Sequence, residues 1–400
     1  MSLTGLRWQT LPLPLVQLSL AAVLKCGQSF RWTTHTVTGT EPEVKESNHS
    51  GYEYRLCLSD RVVCLRQNAT TLSYCSVFPK LESPEKRLLL EAKTLEWLKD
   101  YFQLDVDLEI LYKDWAGRDE VFASVQNRFA GIRVLRQDPW ENLISFICSS
   151  NNNIGRITKM VSSLCKEFSP AVLTITNDGE EEFYHPFPPP SALAGPGVAA
   201  KLRSLGFGYR AEYIQRTASM LVDTHGSKLK LGETTEPSEV WLQTLRQMST
   251  EQAREELLKF AGVGRKVADC VLLMSLDKRE VVPVDTHVYQ IAVKHYKFRG
   301  TSGKKATMTP KLYEELTSKF VTCWGDHAGW AHTILFTADL KSFATYGETD
   351  DVPTPESGQN TPKAETSSVV PGSKRKRKRN SSPPAGRGRA SARQTRRRET

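Results

Sequence analysis

The hydrophobic period of this 400-residue chain changes at Pro84, and that change constrains the fold more than any other feature. Before it, from about Ser29 to Phe78, apolar residues come in short β-rich runs: Ser29–Trp32, Tyr52–Leu56, Val62–Leu65 and Leu72–Cys75. Ser59-Asp60 and Gln67-Asn68 supply turns, so the spacing predicts an antiparallel meander. After it, Leu88, Leu95, Leu98 and Phe102 recur at helical spacing, and the chain reads as helices joined by loops to about Phe343. Strands followed by helices indicate an α+β protein, with an N-terminal antiparallel sheet packed on mainly helical domains. The expected divisions are 1–130 for the sheet and its flanking helices, 131–345 for the helical region, and 346–400 for a tail. From about Gly347 the sequence is rich in Pro, Ser, Thr and charge and nearly lacks large apolar side chains, so it is expected to be disordered.

The net charge of +9 resides in that tail. Residues 371–400 hold twelve Lys and Arg against Glu399, which leaves 1–370 with 42 basic and 44 acidic side chains. Any polyanion-binding surface on the folded part is therefore a local patch. The run Lys374-Arg375-Lys376-Arg377-Lys378-Arg379 suits a nuclear import receptor or non-specific phosphate contact. Eight cysteines are scattered without a C-x-x-C or a Cys/His cluster at zinc spacing, a pattern of free thiols in a reducing compartment that argues against zinc or an iron-sulfur cluster. The sequons at Asn48 and Asn68 would matter only in a secreted protein. The stretch Leu11–Leu24 is interrupted by Pro12, Pro14 and Gln17, so no membrane span is expected. Residues 1–40 lack acidic side chains, as an organelle presequence does, but read better as the start of the fold; the nucleus is the expected location, with a mitochondrial fraction left open.

Two local signals mark where chemistry could sit. Asp138-Pro139-Trp140-Glu141 opens a helix with Asp at the N-cap, Pro at N1 and Glu at N3, expected as a capping box, and the polar run Ser149–Asn153 closes it in an exposed turn before a second helix from about Ile154. Farther on, Ser249-Thr250-Glu251-Gln252 caps a helix that ends near Phe260. Gly262-Val263-Gly264 then turns the chain into a second helix, Lys266 to Leu276. The glycines permit positive φ and leave N–H groups open to a phosphate at the helix N-terminus, while Val263 anchors the turn. Lys266, in the first turn beside Arg265, is where the helix dipole and a neighbouring cation lower the cost of losing a proton, as a nucleophilic amine requires. Asp285, in Pro283-Val284-Asp285, is placed to cap the next helix with a fixed carboxylate that could stabilise developing positive charge.

Gly262-Val263-Gly264-x-Lys266 followed by Pro283-Val284-Asp285 resembles the signature of the helix-hairpin-helix glycosylase superfamily, with Ala261 where a proline is usual. Cys26–Trp32, Arg136–Pro139, Phe146–Ile154, Leu205–Ala211, Lys266–Cys270 and Gly329–Ala331 narrow the resemblance to the eukaryotic-type 8-oxoguanine DNA glycosylase/lyase family over about residues 20–345. The resemblance implies a monomeric, cofactor-free enzyme acting on double-stranded DNA with oxidised guanine opposite cytosine. Lys266 would attack C1′ of the flipped-out nucleotide with Asp285 as its partner. Gly27, Cys270, Pro283, His332 and Phe336 would line the base pocket. Asn151, Arg156, Tyr209 and Arg210 would surround the opposite cytosine, with His287 and the hairpin Gly262–Gly264 at the DNA backbone. His332 departs from the family's usual glutamine, which keeps a glycosylase for another lesion as an alternative. A non-catalytic DNA-binding protein is the alternative from a different class, and would need only the two hairpin glycines.

Overall fold

The computed structural model describes residues 7–37, 51–79, 83–177, 180–229, 234–298 and 308–347. The basic run Lys374–Arg379, nearly all of the tail and the sequon at Asn48 lie outside the described residues. Five strands, β1 (Gln9–Pro12), β2 (Thr33–Thr36), β3 (Tyr52–Cys57), β4 (Val62–Gln67) and β5 (Thr71–Val77), form an antiparallel sheet in the order β1-β5-β4-β3-β2. The meander from β3 to β5 follows three of the four β-rich runs, with Leu56 opposite Val63 and Leu65 opposite Tyr74. The Asn68 side chain makes the β4–β5 turn by accepting from the backbone N–H of Thr70 (3.0 Å) and Thr71 (2.7 Å). Two features differ from expectation. Ser29–Trp32 is not a strand: Phe30 packs edge-on against Phe146 (5.9 Å) and Trp32 donates to the Tyr101 hydroxyl (3.0 Å), so the next strand, β2, begins only at Thr33. The added strand β1 sits at the sheet's edge, where Pro12 breaks no central ladder.

The chain after Pro84 is not wholly helical either. Strands β6 (Leu173–Asn177) and β7 (Glu180–Tyr184) form an antiparallel hairpin. Leu173, Ile175 and Tyr184 cover Cys57, Val62, Cys64, Cys75 and Val77 on one face of the main sheet. The opposite face, with Tyr54, Val63, Leu65, Leu72 and Tyr74, joins the helical core through residues such as Trp115, Trp140, Leu272 and Trp330. A sheet covered on both faces explains why β3 to β5 are buried almost continuously. All described residues fall in one compact unit.

The helix Pro84–Tyr101 buries Leu98 but leaves Leu88 exposed. Its buried stripe starts with polar Glu91 and Thr94, which take hydrogen bonds from Gln9 (2.9 Å) and Arg61 (2.7 Å), so the helical period there marks a hydrogen-bonded face. Asp138 caps the helix Pro139–Ile147 through the Glu141 N–H (2.9 Å), but the capping box is only half made. The Glu141 carboxylate turns instead to Arg31, 3.4 Å away. At Ser249 both halves of the box form, opening the first hairpin helix, Thr250–Leu258. The lysine helix, Arg265–Ser275, follows with Gly264 at its N-cap. No described helix is long and apolar enough to cross a membrane.

Candidate active site

Lys266 lies at the second position of the lysine helix, and Cys270 follows one turn later on the same face. The amine reaches toward the Ser149 hydroxyl (3.5 Å) and sits over the Phe146 ring, 5.1 Å from its centroid. Burial pushes the Cys270 thiol up to about 11, opposed by Lys266, while Asp285 adds to the rise; Cys270 is thus an uncharged wall at neutral pH. Asp285 is the N-cap of the helix Thr286–Tyr296: one carboxylate oxygen accepts from the N–H groups of His287 (2.9 Å) and Val288 (3.0 Å).

The wall opposite comes from the helix Ala328–Asp339, and Gly329 sets how closely that helix approaches. A Cβ there would stand 2.2 Å from the Val281 carbonyl oxygen, and the Gly329 N–H donates to the Arg279 carbonyl (3.0 Å). That approach carries His332 and Phe336 into the site at i+3 and i+7. Their rings lie 6.0 Å apart, and His287 stands edge-on to Phe336 at 5.0 Å. His332 is 7% exposed, and neither ring nitrogen has a hydrogen-bond partner. Burial lowers its imidazole to about 4; Asp285 opposes this, and His287 and Lys266 reinforce it. The ring is therefore neutral near pH 7, and a neutral ring holds one donor and one acceptor. The His287 Nε2 lies 3.2 Å from the Asp339 carboxylate, without the alignment of a hydrogen bond.

The turn Ser149–Asn153 ties this pocket to a second group of side chains. Asn151 adopts φ +49°, in the left-handed region that asparagine tolerates. Asn153 caps the following helix, Ile154–Phe168, through the Arg156 N–H (2.9 Å), which starts where the sequence places it. Tyr209 is 51% exposed, and its hydroxyl donates to the Ser150 carbonyl (3.2 Å). Arg156 is exposed and donates to the Gly206 carbonyl (3.3 Å). Arg210 differs from the expectation of a DNA-facing cation. It is 3% exposed, stacks on Tyr209 at 4.6 Å and donates to the carbonyls of Ser150 and Asn151, because two strained-turn carbonyls need a buried donor. Gly27, at φ +90°, meets the start of the same helix: an added Cβ would lie 2.9 Å from Ile154 Cδ1.

The hairpin turn joins the same assembly through Tyr213. Gly262 has φ +78°, and a Cβ on it would lie 2.5 Å from the Tyr213 ring, which stands edge-on to Tyr209 at 5.8 Å. Of the two hairpin glycines, Gly262 alone uses positive φ. Gly264 has φ −96°, and nothing lies within 4 Å of where its Cβ would be, so its role is an open face at a helix N-terminus. Val263 is buried, as an anchor must be. Ala261, in place of the usual proline, accepts a hydrogen bond from the Thr217 hydroxyl (3.1 Å), which pins the turn from its other side. Pro283 is buried in the segment that leads to Asp285. Sequence reasoning gave no role to Ser149 or Phe146 beside the lysine. Both sit in stretches that read as an ordinary helix face and turn, so no residue type marked them. Among the described residues, no group of three or more His, Cys, Asp or Glu could hold a metal ion.

Comparison with known proteins agrees with this architecture. Residues 10–143 match the family described as "8-oxoguanine DNA glycosylase, N-terminal domain", and residues 144–319 match "HhH-GPD superfamily base excision DNA repair protein". The chain is 36% identical over 340 residues to the N-glycosylase/DNA lyase of Saccharomyces cerevisiae, covering 81% of this chain and 84% of that protein. It is also 36% identical over 344 residues to N-glycosylase/DNA lyase OGG1 of Arabidopsis thaliana, covering 85% and 82%. Among solved structures, MBOgg1 in complex with a low affinity DNA ligand superposes with a TM-score of 0.61 at 26% identity, covering 85% of this chain and 95% of that one. Clostridium acetobutylicum 8-oxoguanine glycosylase/lyase, bound to double-stranded DNA with cytosine opposite 8-oxoguanine, gives 0.60 at 25%, covering 80% and 91%. An antiparallel sheet, a helix-hairpin-helix and likeness over more than four-fifths of the chain to two N-glycosylase/DNA lyases together show that the chain belongs to the 8-oxoguanine DNA glycosylase family of bifunctional N-glycosylase/DNA lyases.

Proposed function

We propose that this enzyme excises 8-oxoguanine paired with cytosine and then nicks the DNA strand, with Lys266 as nucleophile. The Lys266 amine attacks C1′ of the extruded nucleotide, and the bond from C1′ to the base breaks with its electrons leaving on the base, which takes up a proton. The aminated sugar opens to a Schiff base; loss of a C2′ proton then expels the 3′ phosphate by β-elimination. Asp285, held by two backbone N–H groups, stabilises positive charge on the sugar and takes part in proton transfer. The observation that carries this reading is the Ser149–Asn153 turn. On one side it meets the lysine and on the other Tyr209, so a base drawn toward Lys266 leaves its gap beside an exposed aromatic ring.

In this reading Gly27, Cys270, Pro283, His332 and Phe336 surround the base. Gly262, Val263, Gly264 and His287 meet the backbone, and Asn151, Arg156 and Tyr209 meet the orphaned cytosine. Arg210 acts through the two carbonyls it holds. The experiment is borohydride trapping with duplexes carrying defined lesions opposite each base. An adduct with 8-oxoguanine opposite cytosine, lost in Lys266→Gln, is expected; persistence of the adduct in Lys266→Gln would overturn the assignment.

A second reading, preference for another lesion, is favoured by His332 alone. Its two buried, unpaired nitrogens present a different hydrogen-bonding edge from an amide. Faster trapping of a different lesion in the same assay would establish it. The reading also includes a monomer that enters the nucleus through Lys374–Arg379. A sedimentation mass of twice the chain, or nuclear accumulation of a fusion with that run changed to alanine, would refute those two parts.

A further inference from the structure

A network centred on buried Asp269 and Tyr313 joins the segments that carry the two residues assigned to the chemistry. Asp269, one turn after Lys266, is 1% exposed and accepts three hydrogen bonds: from Arg254 (2.7 Å), Arg265 (3.2 Å) and the Tyr313 hydroxyl (2.6 Å). Tyr313 comes from the helix Pro310–Trp324, remote in sequence from both. Its hydroxyl donates to Asp269 and accepts from the Val284 backbone N–H (3.0 Å), so its donor and an acceptor site are both used. Val284 is 1% exposed and immediately precedes Asp285. Burial, with the Asp269 carboxylate beside it, pushes the Tyr313 phenol far above its ordinary value, so the hydroxyl keeps its proton and its direction of donation. The Arg265 guanidinium stacks on the same ring at 4.9 Å and pairs with Glu314 (3.1 Å), which holds the tyrosine from the solvent side.

We propose that Tyr313 is a positioning residue for the Lys266–Asp285 pair, setting the Asp285 carboxylate against the lysine helix through Val284 and Asp269. This rests on the assignment of those two residues in the reading above. The physical reason is that Asp285 arrives at the end of an irregular segment, 281–285, whose backbone belongs to no helix or strand. Capping orients its carboxylate within its own helix but says nothing of where that helix sits relative to Lys266. The Tyr313 hydroxyl supplies that missing constraint, because one oxygen atom is bonded to both segments at once. Removing it leaves a buried N–H without a partner and frees the segment to shift. A misplacement on the order of 1 Å at a reacting group costs up to about 100-fold in rate.

The test is Tyr313→Phe in the full chain, with Tyr112→Phe as control. Tyr112 is an equally buried tyrosine, bonded to the carbonyls of Phe129 and Ile132 and named in none of the contacts of the site. Single-turnover excision and borohydride trapping are followed at a temperature where circular dichroism shows both variants folded, together with affinity for a duplex carrying a tetrahydrofuran abasic analogue. Expected is a loss of about 10- to 100-fold in the single-turnover rate of Tyr313→Phe, with affinity within about 2-fold of wild type and the control rate unchanged. Hydrogen exchange at the Val284 amide should accelerate in Tyr313→Phe only. Equal slowing in both variants, or a wild-type rate in Tyr313→Phe, would overturn the inference. Should Tyr313→Phe not fold, Asp269→Asn, which replaces the charged acceptor of the tyrosine by a weaker neutral one and so loosens the bridge, is measured in its place and is expected to slow excision with unchanged affinity; a wild-type rate there overturns it too. If wild type itself forms no adduct with any lesion, it is the functional reading that fails.

Discussion

Gly262 and Gly264 look alike in the sequence, and the structure makes opposite demands on them. At Gly262 an alanine must adopt φ +78°, which costs about 1–2 kcal/mol for a residue with a Cβ. Its methyl carbon would also fall 2.5, 2.6 and 2.8 Å from three atoms of Tyr213, the nearest being ring atoms that cannot bend away singly. Moving that ring disturbs its edge contact with Tyr209, an overpacking cost of about 1–3 kcal/mol. Gly262→Ala is thus expected to destabilise by about 2–5 kcal/mol. Gly264→Ala keeps an ordinary extended backbone with open space around the new carbon and should cost no more than about 1 kcal/mol, the loss of glycine's preference at a helix N-cap. The same methyl would stand on the face assigned to a DNA phosphate. Urea unfolding at pH 7 gives the stabilities, and fluorescence anisotropy with a lesion-bearing duplex gives the affinities. A Gly262→Ala protein as stable as wild type would refute the steric argument. A Gly264→Ala protein with both full stability and full DNA affinity would refute the phosphate seat.

Asp285 combines a cap and a charge, and two substitutions separate them. Asp285→Asn keeps the acceptor for the His287 and Val288 N–H groups and should leave stability near wild type while slowing excision at least about 10-fold; Asp285→Ala should in addition lose about 1 kcal/mol of stability. Equal stabilities for the two variants in urea would show that the cap is not what holds this carboxylate. His332 predicts a pH dependence. Its folded value of about 4 lies below the unfolded value near 6.5, so between these the unfolded chain binds the extra proton, and stability falls as pH drops from about 6.5 to 4. This group accounts for a loss on the order of 3 kcal/mol across that window, and His332→Gln should remove that part of the acid sensitivity. Parallel urea midpoints for wild type and variant at pH 7 and pH 4.5 would contradict it.

Much of the site was legible in the sequence because its parts are local. A glycine hairpin, an N-capping aspartate, an Asp-Pro helix start and a run of three asparagines each act through bonds to near neighbours, and each is found where the residues place it. The meander was legible for the same reason, since strand alternation and turn residues are short-range properties. Strand β1 and the β6–β7 hairpin were not, because their four or five residues bury themselves only against a sheet surface already assembled. The missing half of the Asp138 capping box has a similar origin: Glu141 had a helix N–H within reach, but Arg31, more than a hundred residues earlier, offered a charge.

Arg210 and Tyr313 show the limit most clearly. By type and position the first reads as a cation for DNA, yet it is buried on two carbonyls of the Ser149–Asn153 turn. The second reads as one aromatic on an amphipathic helix, yet its hydroxyl bridges the segments that carry Lys266 and Asp285. The sequence by itself determined the α+β order, the hairpin and the identity of the groups able to do chemistry, since these follow from period, backbone preference and side-chain type. Only the tertiary structure decided which cations face outward, which glycine is sterically required and which side chain links the segments that carry Lys266 and Asp285. Those outcomes depend on hydrogen-bond partners brought together from distant parts of the chain, and burial makes an unpaired partner too costly to leave.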